Sequence, residues 1–194
     1  MSVDTDAEIR ETQIDSQQVY KGRFLDVRLD RIRLPDGATA SREYIVHPGA
    51  VMIVPLLADG RVVVERQWRY PLSRAMLEFP AGKLEMGEDP LHCAVRELAE
   101  ETGYRAAEWA CAGFTNNAIA YSDEAIHIWF ARGLMAGERH LDAGEFLEVH
   151  EASADELDAL AARGDITDAK TLVGLLWLQR WRAGSWPLSW RAAP

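Results

Sequence analysis

The pattern of apolar and polar positions predicts an N-terminal pair of strands. Apolar residues alternate with polar ones in the segment 24–34, a Pro-Asp-Gly turn follows, and the segment 41–47 has the composition of a returning strand. Alternation of this kind is typical of strands with one buried face. A few strands without a packing partner are marginally stable, so we expect this antiparallel unit to pack on the main domain or on a second subunit.

A continuous apolar run, Ala50 to Leu57, predicts a buried strand after a break at Pro48-Gly49. Asp59-Gly60 then predicts a hairpin turn into a strand at 61–69. The same patterns predict later elements: strands at 109–115, 124–132 and 145–150, a helix from the capping box at Ser153 to about Ala162, and a helix at 169–181. Strands interleaved with a few helices indicate an α/β fold with a mixed sheet.

Another helix is predicted between Asp89 and Gly103. Asp89 is a natural N-cap, Pro90 is a natural first helical residue, and a glycine such as Gly103 can end a helix. Apolar residues at helical spacing mark the side that faces the core: Leu91, Ala94, Val95, Leu98 and Thr102. Acidic residues at positions i, i+3 and i+4 share a different side: Glu97, Glu100 and Glu101.

These glutamates are electrostatically unfavourable where they stand. Like charges one helical turn apart repel, and the C-terminal end of a helix disfavours negative charge. Arg96 compensates only part of the repulsion. A divalent cation would relieve it, and carboxylate oxygens are the ligands that Mg²⁺ or Mn²⁺ prefers. From this run alone, however, a solvated acidic helix face is the more common interpretation.

The residues around this helix resemble the Nudix box, the signature of the Nudix hydrolase superfamily. The box reads Gly, five residues, Glu, seven residues, Arg-Glu-apolar-x-Glu-Glu-x-Gly-apolar. Every fixed position is matched: Gly82, Glu88, Arg96, Glu97, Leu98, Glu100, Glu101 and Gly103, with Tyr104 in the last apolar place. The resemblance implies the Nudix fold, an α/β/α sandwich with a central mixed sheet. It also implies hydrolysis of a nucleoside diphosphate linked to another moiety.

The resemblance further implies a metal site. In this family, the first and third glutamates of the helix ligate the metal, often together with a backbone carbonyl beside the box glycine. Here these ligands of Mg²⁺, or alternatively Mn²⁺, would be Glu97, Glu101 and the carbonyl of Ala81. Glu100 would complete the cluster or hold a metal-bound water, and Arg96 would orient the glutamates through charged hydrogen bonds. Metal held there would neutralise diphosphate oxygens and lower the pKa of a bound water.

Four further stretches resemble the ADP-ribose pyrophosphatase branch of the superfamily, each more weakly than the box does: 48–51, 66–70, 77–82 and 168–171. The N-terminal extension also resembles that branch. In that branch the extension helps to build a homodimer with composite active sites, and ADP-ribose yields AMP and ribose 5-phosphate. The loop 114–124 departs from the branch because it lacks the proline of a Ser-Pro-Gly-like turn. A sugar nucleotide such as GDP-mannose, or a dinucleoside diphosphate, therefore stays open as the substrate.

The branch resemblance also implies roles outside the box. Glu145 matches a loop glutamate that acts as general base, with Asp142 and Glu148 as alternates, and an ordinary solvated loop carboxylate is the competing interpretation. Arg42 and Arg69 match positions that contact substrate phosphate or ribose, and Glu78 and Glu124 match positions near substrate and metal. Trp68 is a candidate for stacking on an adenine, although aromatic residues in a strand are more often part of the core. Guanidinium groups suit phosphate oxygens through bidentate hydrogen bonds. Surface ion pairs and packing are nonetheless the more common roles of such side chains.

Composition narrows the class of protein. With 194 residues, 48% hydrophobic and 27% charged, the chain suits one globular domain with an extension. We assign residues 1–47 to a β extension that serves dimerisation and residues 48–194 to the hydrolase domain. The net charge of −10 argues against nucleic-acid or membrane partners, and we expect a cytoplasmic location. A Nudix module that senses a nucleotide without cleaving it is the competing function, which the complete carboxylate set disfavours.

Overall fold

The computed structural model describes residues 5–194, and the chain divides into two compact units. The first unit ends at His47 and also includes residues 116–124. The second unit consists of residues 48–115 and 125–194. The loop at 116–124, which the sequence assigned to the hydrolase domain, thus makes most of its contacts with the extension.

The first unit contains a three-stranded antiparallel sheet in the order β1-β2-β3. These strands are β1 (Thr12–Lys21), β2 (Asp26–Arg33) and β3 (Thr39–Ile45). The predicted hairpin of β2 and β3 is confirmed. Sequence patterns did not predict β1, because its residues are mostly polar and the strand is exposed along its whole length.

Side-chain hydrogen bonds, rather than a large apolar core, hold this small sheet together. Asp26 accepts hydrogen bonds from Gln18, Lys21 and Arg28, each at 2.9 Å. The bonds from these donors keep the pKa of Asp26 well below its usual range. Among the described residues of this unit, Ile32 is the only apolar side chain that is fully buried.

The second unit contains an eight-stranded mixed sheet. Its strands are β4 (Ala50–Leu56), β5 (Val62–Arg69), β6 (Arg74–Glu78), β7 (Ala81–Lys83), β8 (Tyr104–Asn116), β9 (Ala125–Ala136), β10 (Leu147–Ala152) and β11 (Arg191–Ala192). The main path runs β10-β5-β4-β9-β8-β11, while β6 pairs with β5 and β7 pairs with β4. Strands β4 and β9 run parallel, whereas β5 runs antiparallel to β4, β6 and β10. Strand β8 begins at Tyr104 rather than at the predicted residue 109, because exposed residues interrupt the apolar pattern there.

Three helices cover the two faces of this sheet, which confirms the predicted α/β/α sandwich. They are α1 (Pro90–Thr102), α2 (Ala154–Ala162) and α3 (Ala169–Arg182). Alternate residues of β4 separate two cores: Met52 and Val54 pack with α2 and α3, whereas Val51 and Ile53 pack with α1. No helix within residues 5–194 is long and apolar enough to cross a bilayer.

Helix α1 begins and ends where the sequence predicts. The Asp89 carboxylate accepts the backbone N–H groups of Leu91 at 2.9 Å and His92 at 3.3 Å. Gly103 ends the helix with a φ of 76°, a conformation that favours glycine. These local interactions set the two ends of the helix that carries Glu97, Glu100 and Glu101.

Replacing Asp89 with alanine should lower stability, because two N–H groups at the start of α1 lose their acceptor. Loss of an N-cap costs about 1 kcal/mol, which corresponds to a fall in Tm of ~2–4 °C for a chain of this length. Thermal unfolding followed by circular dichroism measures the change. Asp89→Ser keeps a capping oxygen and should behave like the wild type. An alanine variant with an unaltered Tm would contradict the capping role.

Candidate active site

Glu97, the first glutamate of α1, lies against the backbone of β7. A Cβ atom added at Gly82 would be only 1.9 Å from Cδ and Oε1 of Glu97. Only glycine therefore leaves room for this carboxylate. Burial raises the pKa of Glu97, and the neighbouring Arg96 offsets part of that rise.

Glu101 is the most deeply buried acidic residue of α1, at 3% exposure. One of its carboxylate oxygens accepts the backbone N–H of Ala81 at 3.0 Å, which ties α1 to β7. Burial raises the pKa of this carboxyl, and the negative charges of Glu65, Glu97 and Glu145 raise it further. A solvated acidic helix face, the competing interpretation of the sequence, does not describe a side chain in these surroundings.

Arg96 bridges three carboxylates on the outer side of α1. Its Nε donates to Glu88 at 3.0 Å, and its Nη1 donates to Glu97 and to Glu100, both at 2.9 Å. The hydrogen bonds from Arg96 lower the pKa of Glu88 to about 2. This geometry orients three box glutamates at once, and the role that the family resemblance implies for Arg96 at a metal site stays a prediction.

A further acidic side chain, which sequence reasoning missed, joins the group from β5. Glu65 is fully buried, and neither of its carboxylate oxygens has a hydrogen-bond partner among the described residues. Burial raises its pKa, and the charge of Glu78, its neighbour across the β5–β6 ladder, adds to the rise. The sequence does contain a signal for it. Glu65 directly follows the apolar run 62–64, and because side chains alternate along a strand it lies on the same buried face as Val63.

The loop before β10 brings Glu145 to the same place. Its Oε1 accepts a hydrogen bond from the side-chain amide of Gln67 at 3.3 Å. The charge of Glu145 also raises the pKa values of Glu65, Glu97 and Glu101. Glu145 is therefore close to the box glutamates and is half-buried.

The two alternates to Glu145 are in different surroundings. Glu148 is exposed and forms ion pairs with Arg66 at 3.1 Å and with His150 at 3.5 Å. Asp142 is exposed on the same loop as Glu145. Of the three candidates for the general base, Glu145 is the one that lies with the buried carboxylates.

Arg69 and Glu78, both predicted to contact substrate, form an ion pair with each other. Arg69 donates to Glu78 through Nε at 2.6 Å and through Nη2 at 2.7 Å. Lys170, at the start of α3, also donates to Glu78 and donates to Asp168 at 3.0 Å. Burial opposes ionisation of Glu78, but these donors outweigh it, so the pKa of Glu78 lies below its usual value. Lys170 is thus a second positively charged partner of Glu78. The sequence analysis gave it no role of its own, although it lies in the stretch 168–171 that resembles the ADP-ribose pyrophosphatase branch.

The remaining predicted substrate residues are Arg42, Glu124 and Trp68. Arg42 and Glu124 belong to the first unit, where each has an ion-pair partner. Trp68 is 60% exposed and lies on the opposite face of β5 from Glu65, because side chains alternate along a strand. It lines a surface groove together with Arg66, Arg74, Arg139 and Phe146. Their roles in binding substrate stay predictions.

The acidic group fits a hard divalent cation in its chemistry. All the side chains in the group are carboxylates, which are the ligands that such a cation prefers. The oxygens of Glu65 have no partner, so a positive charge beside them would be stabilising. The side chains do not converge on one point, however: within residues 5–194, no three His, Cys, Asp or Glu side chains form a complete set of ligands. A cation here would thus draw further oxygens from backbone or water, which is how Mg²⁺ is usually held.

Comparisons with known proteins agree with these observations. The family model described as NUDIX domain matches residues 46–175, and that of the nucleoside diphosphate sugar hydrolase N-terminal domain matches residues 11–45. The chain is 36% identical to an ADP-ribose pyrophosphatase of Bacillus subtilis (strain 168), over 88% of this chain and 94% of that protein. It is 39% identical to the methanol dehydrogenase activator of Bacillus methanolicus, over 87% of this chain and 92% of that protein.

A solved structure has the same fold. The crystal structure of an ADP compounds hydrolase aligns with a TM-score of 0.81 at 24% identity, over 90% of this chain and 95% of that chain. Together with the sequence relatives, it confirms the predicted fold and the likeness to ADP-ribose pyrophosphatases, and the enzyme class is that of a Nudix pyrophosphatase. Because the NUDIX model matches more than half of its length, this chain belongs to the Nudix family.

Proposed function

We propose that this protein hydrolyses ADP-ribose to AMP and ribose 5-phosphate in a Mg²⁺-dependent reaction. The observation that carries the proposal is the position of the box glutamates, with Glu97 against Gly82 and Glu101 buried beside Ala81. Relatives named ADP-ribose pyrophosphatase, which match over most of the chain, support the choice of substrate.

Glu97, Glu101 and the backbone carbonyl of Ala81 hold the metal in this proposal. A divalent cation supplies positive charge to the diphosphate oxygens and lowers the pKa of water. Arg96 keeps Glu97 and Glu100 in place through charge-assisted hydrogen bonds. These residues thus present fixed negative charge to the cation and do not themselves react with the diphosphate.

Glu145 acts as the general base. Its partner Gln67 is a neutral amide, which positions the carboxylate without cancelling its charge. A base needs that free charge, and it must lie within hydrogen-bond reach of the water that it deprotonates. The proximity of Glu145 to the box glutamates supports this assignment over Asp142 and Glu148.

Arg69 and Lys170 provide positive charge beside the acidic group. Both side chains bind the buried carboxylate of Glu78, and Lys170 also binds Asp168. The guanidinium of Arg69 is held in a fixed orientation and remains 37% exposed. A fixed, accessible guanidinium suits phosphate or ribose oxygens of the substrate.

A homodimer and a cytoplasmic location are part of the proposal. Strand β1 is exposed along its length and carries apolar side chains, among them Ile14, Val19 and Tyr20. A sheet with so little core of its own gains stability if a second copy covers this surface. Arg42, Glu124 and Trp68 are candidates for substrate contacts in the composite sites of such a dimer.

Another nucleotide diphosphate is the competing substrate. The loop 116–124, between β8 and β9, has Asn116 and Asn117 where the branch carries a proline turn, so GDP-mannose or a dinucleoside diphosphate stays open. The chemistry at the glutamates would be the same. The box residues are the same for all these substrates, so only a comparison of kcat/KM among the substrates can separate the possibilities.

The purified protein should release AMP from ADP-ribose with Mg²⁺ and lose this activity with EDTA. ADP-ribose should give a higher kcat/KM than GDP-mannose or dinucleoside diphosphates. Glu101→Gln should reduce kcat by more than the ~10–100-fold typical of losing a supporting partner of a metal ligand, with an unchanged circular dichroism spectrum. Binding of every substrate without turnover would overturn the proposal and favour a nucleotide sensor.

Glu145→Gln should lower kcat by about 10²–10⁴-fold, the contribution typical of a general base, while KM changes little. Steady-state kinetics with ADP-ribose measures both constants. Glu148→Gln is the matched comparison, since Glu148 is exposed on β10 and paired with Arg66. If Glu148→Gln lost kcat and Glu145→Gln kept it, the base would have to be reassigned.

Gly82→Ala should raise the Mg²⁺ concentration that gives half-maximal activity by about 10-fold or more. The added methyl group would occupy the position of the Glu97 carboxylate, which must then move. The backbone at Gly82 does not have positive φ, so alanine introduces a steric change rather than backbone strain. A Mg²⁺ titration of activity measures the effect, and a curve that matches the wild type would contradict the steric role.

A further inference from the structure

Glu65 is an acidic residue that the Nudix box does not contain. Within residues 5–194, it is the only carboxylate whose two oxygens are both buried and without a hydrogen-bond partner. Its exposure is 0%, and it lies on β5, after three buried valines. Whatever satisfies this side chain is therefore absent from the described part of the chain.

Neither protonation state of Glu65 is satisfied by its surroundings. A buried carboxylate without a partner is strongly unfavourable, and a protonated carboxyl would leave its O–H group without an acceptor. Replacement of such a group by an apolar residue of similar volume is often neutral or stabilising. The presence of a glutamate at this position thus costs stability unless a ligand compensates it.

The neighbours of Glu65 indicate which ligand this is. Across the β5–β6 ladder lies Glu78, whose carboxylate is already engaged by Arg69 and Lys170. Towards α1 lies Glu101, which is also buried, accepts the backbone N–H of Ala81, and is close enough to Glu65 for the two carboxyls to interact. Two buried acidic groups beside each other repel, and a divalent cation is the partner that stabilises both.

We infer that Glu65 is an additional ligand of the divalent cation and binds it from β5, together with Glu101 from α1. The inference rests on the proposed function, because it concerns the same metal. The box supplies ligands from α1 and β7, whereas Glu65 adds a carboxylate from a third element of the second unit. The box glutamates alone do not form a complete set of metal ligands among the described residues, and Glu65 would supply one of the missing ligands.

Binding of Mn²⁺ in the absence of substrate tests this inference without relying on activity. Free Mn²⁺ has an electron paramagnetic resonance signal that disappears on binding, so a titration gives both affinity and stoichiometry. Glu65→Gln should weaken the affinity by about 10-fold or more, or remove one bound ion. Glu108→Gln is the matched control, because it removes a partly exposed glutamate of β8 that pairs with Arg132. The control should bind Mn²⁺ like the wild type.

Thermal unfolding supplies a second measurement. Without metal, Glu65→Gln and Glu65→Met should have a Tm equal to or above that of the wild type, since the unpartnered carboxylate is gone. Added Mn²⁺ should raise their Tm less than it raises that of the wild type. Glu65→Met has no polar atom to satisfy, so it keeps the test valid if the buried amide of Glu65→Gln prevents folding.

The outcomes separate this inference from the proposed function. Unchanged Mn²⁺ affinity and stoichiometry in both Glu65 variants, together with their loss in Glu101→Gln, would overturn the inference and leave the proposed function in place. Buried water would then be what satisfies Glu65. A wild-type protein that binds no Mn²⁺ would overturn the proposed metal dependence, and the role of Glu65 with it.

Discussion

Repulsion among buried carboxylates is the constraint on which the rest of this structure depends. Burial and mutual repulsion both disfavour ionised glutamates, and both act at Glu65, Glu97 and Glu101. The chain offsets part of this cost at the two ends of the group, with Arg96 outside and the backbone N–H of Ala81 inside. Protonation of these carboxyls relieves part of what remains, and in our proposal a bound cation relieves it instead, so the arrangement that disfavours ionised glutamates suits a cation.

Such a site requires a rigid support, which the mixed sheet provides. Strand β4 is buried on both faces, and its two sets of alternating side chains anchor α1 on one side and α2 and α3 on the other. Helix α1 is capped at both ends, and Gly82 of β7 allows it to approach closely. The glutamates are therefore held by packing and backbone interactions, which do not depend on the metal.

Charge on the whole protein and charge at the site have opposite consequences for substrate binding. A net charge of −10 repels a diphosphate at long range. At the site, Glu78 holds the guanidinium of Arg69, which stays partly exposed to a substrate. In the proposed reaction, a bound divalent cation supplies further positive charge. An acidic protein can thus act on an anionic substrate because short-range interactions in a partly dry site are stronger than screened long-range ones.

The sequence by itself determined the box helix, most strands of the hydrolase domain and the family. Capping at Asp89, termination at Gly103 and glutamates at helical spacing depend on residues close together in the chain, so spacing alone reveals them. Only the tertiary structure decided the positions of β1, of Glu65 and of Lys170 beside Glu78. Their partners come from distant segments, and burial of a polar side chain depends on which strands and helices surround it. No local pattern records that environment.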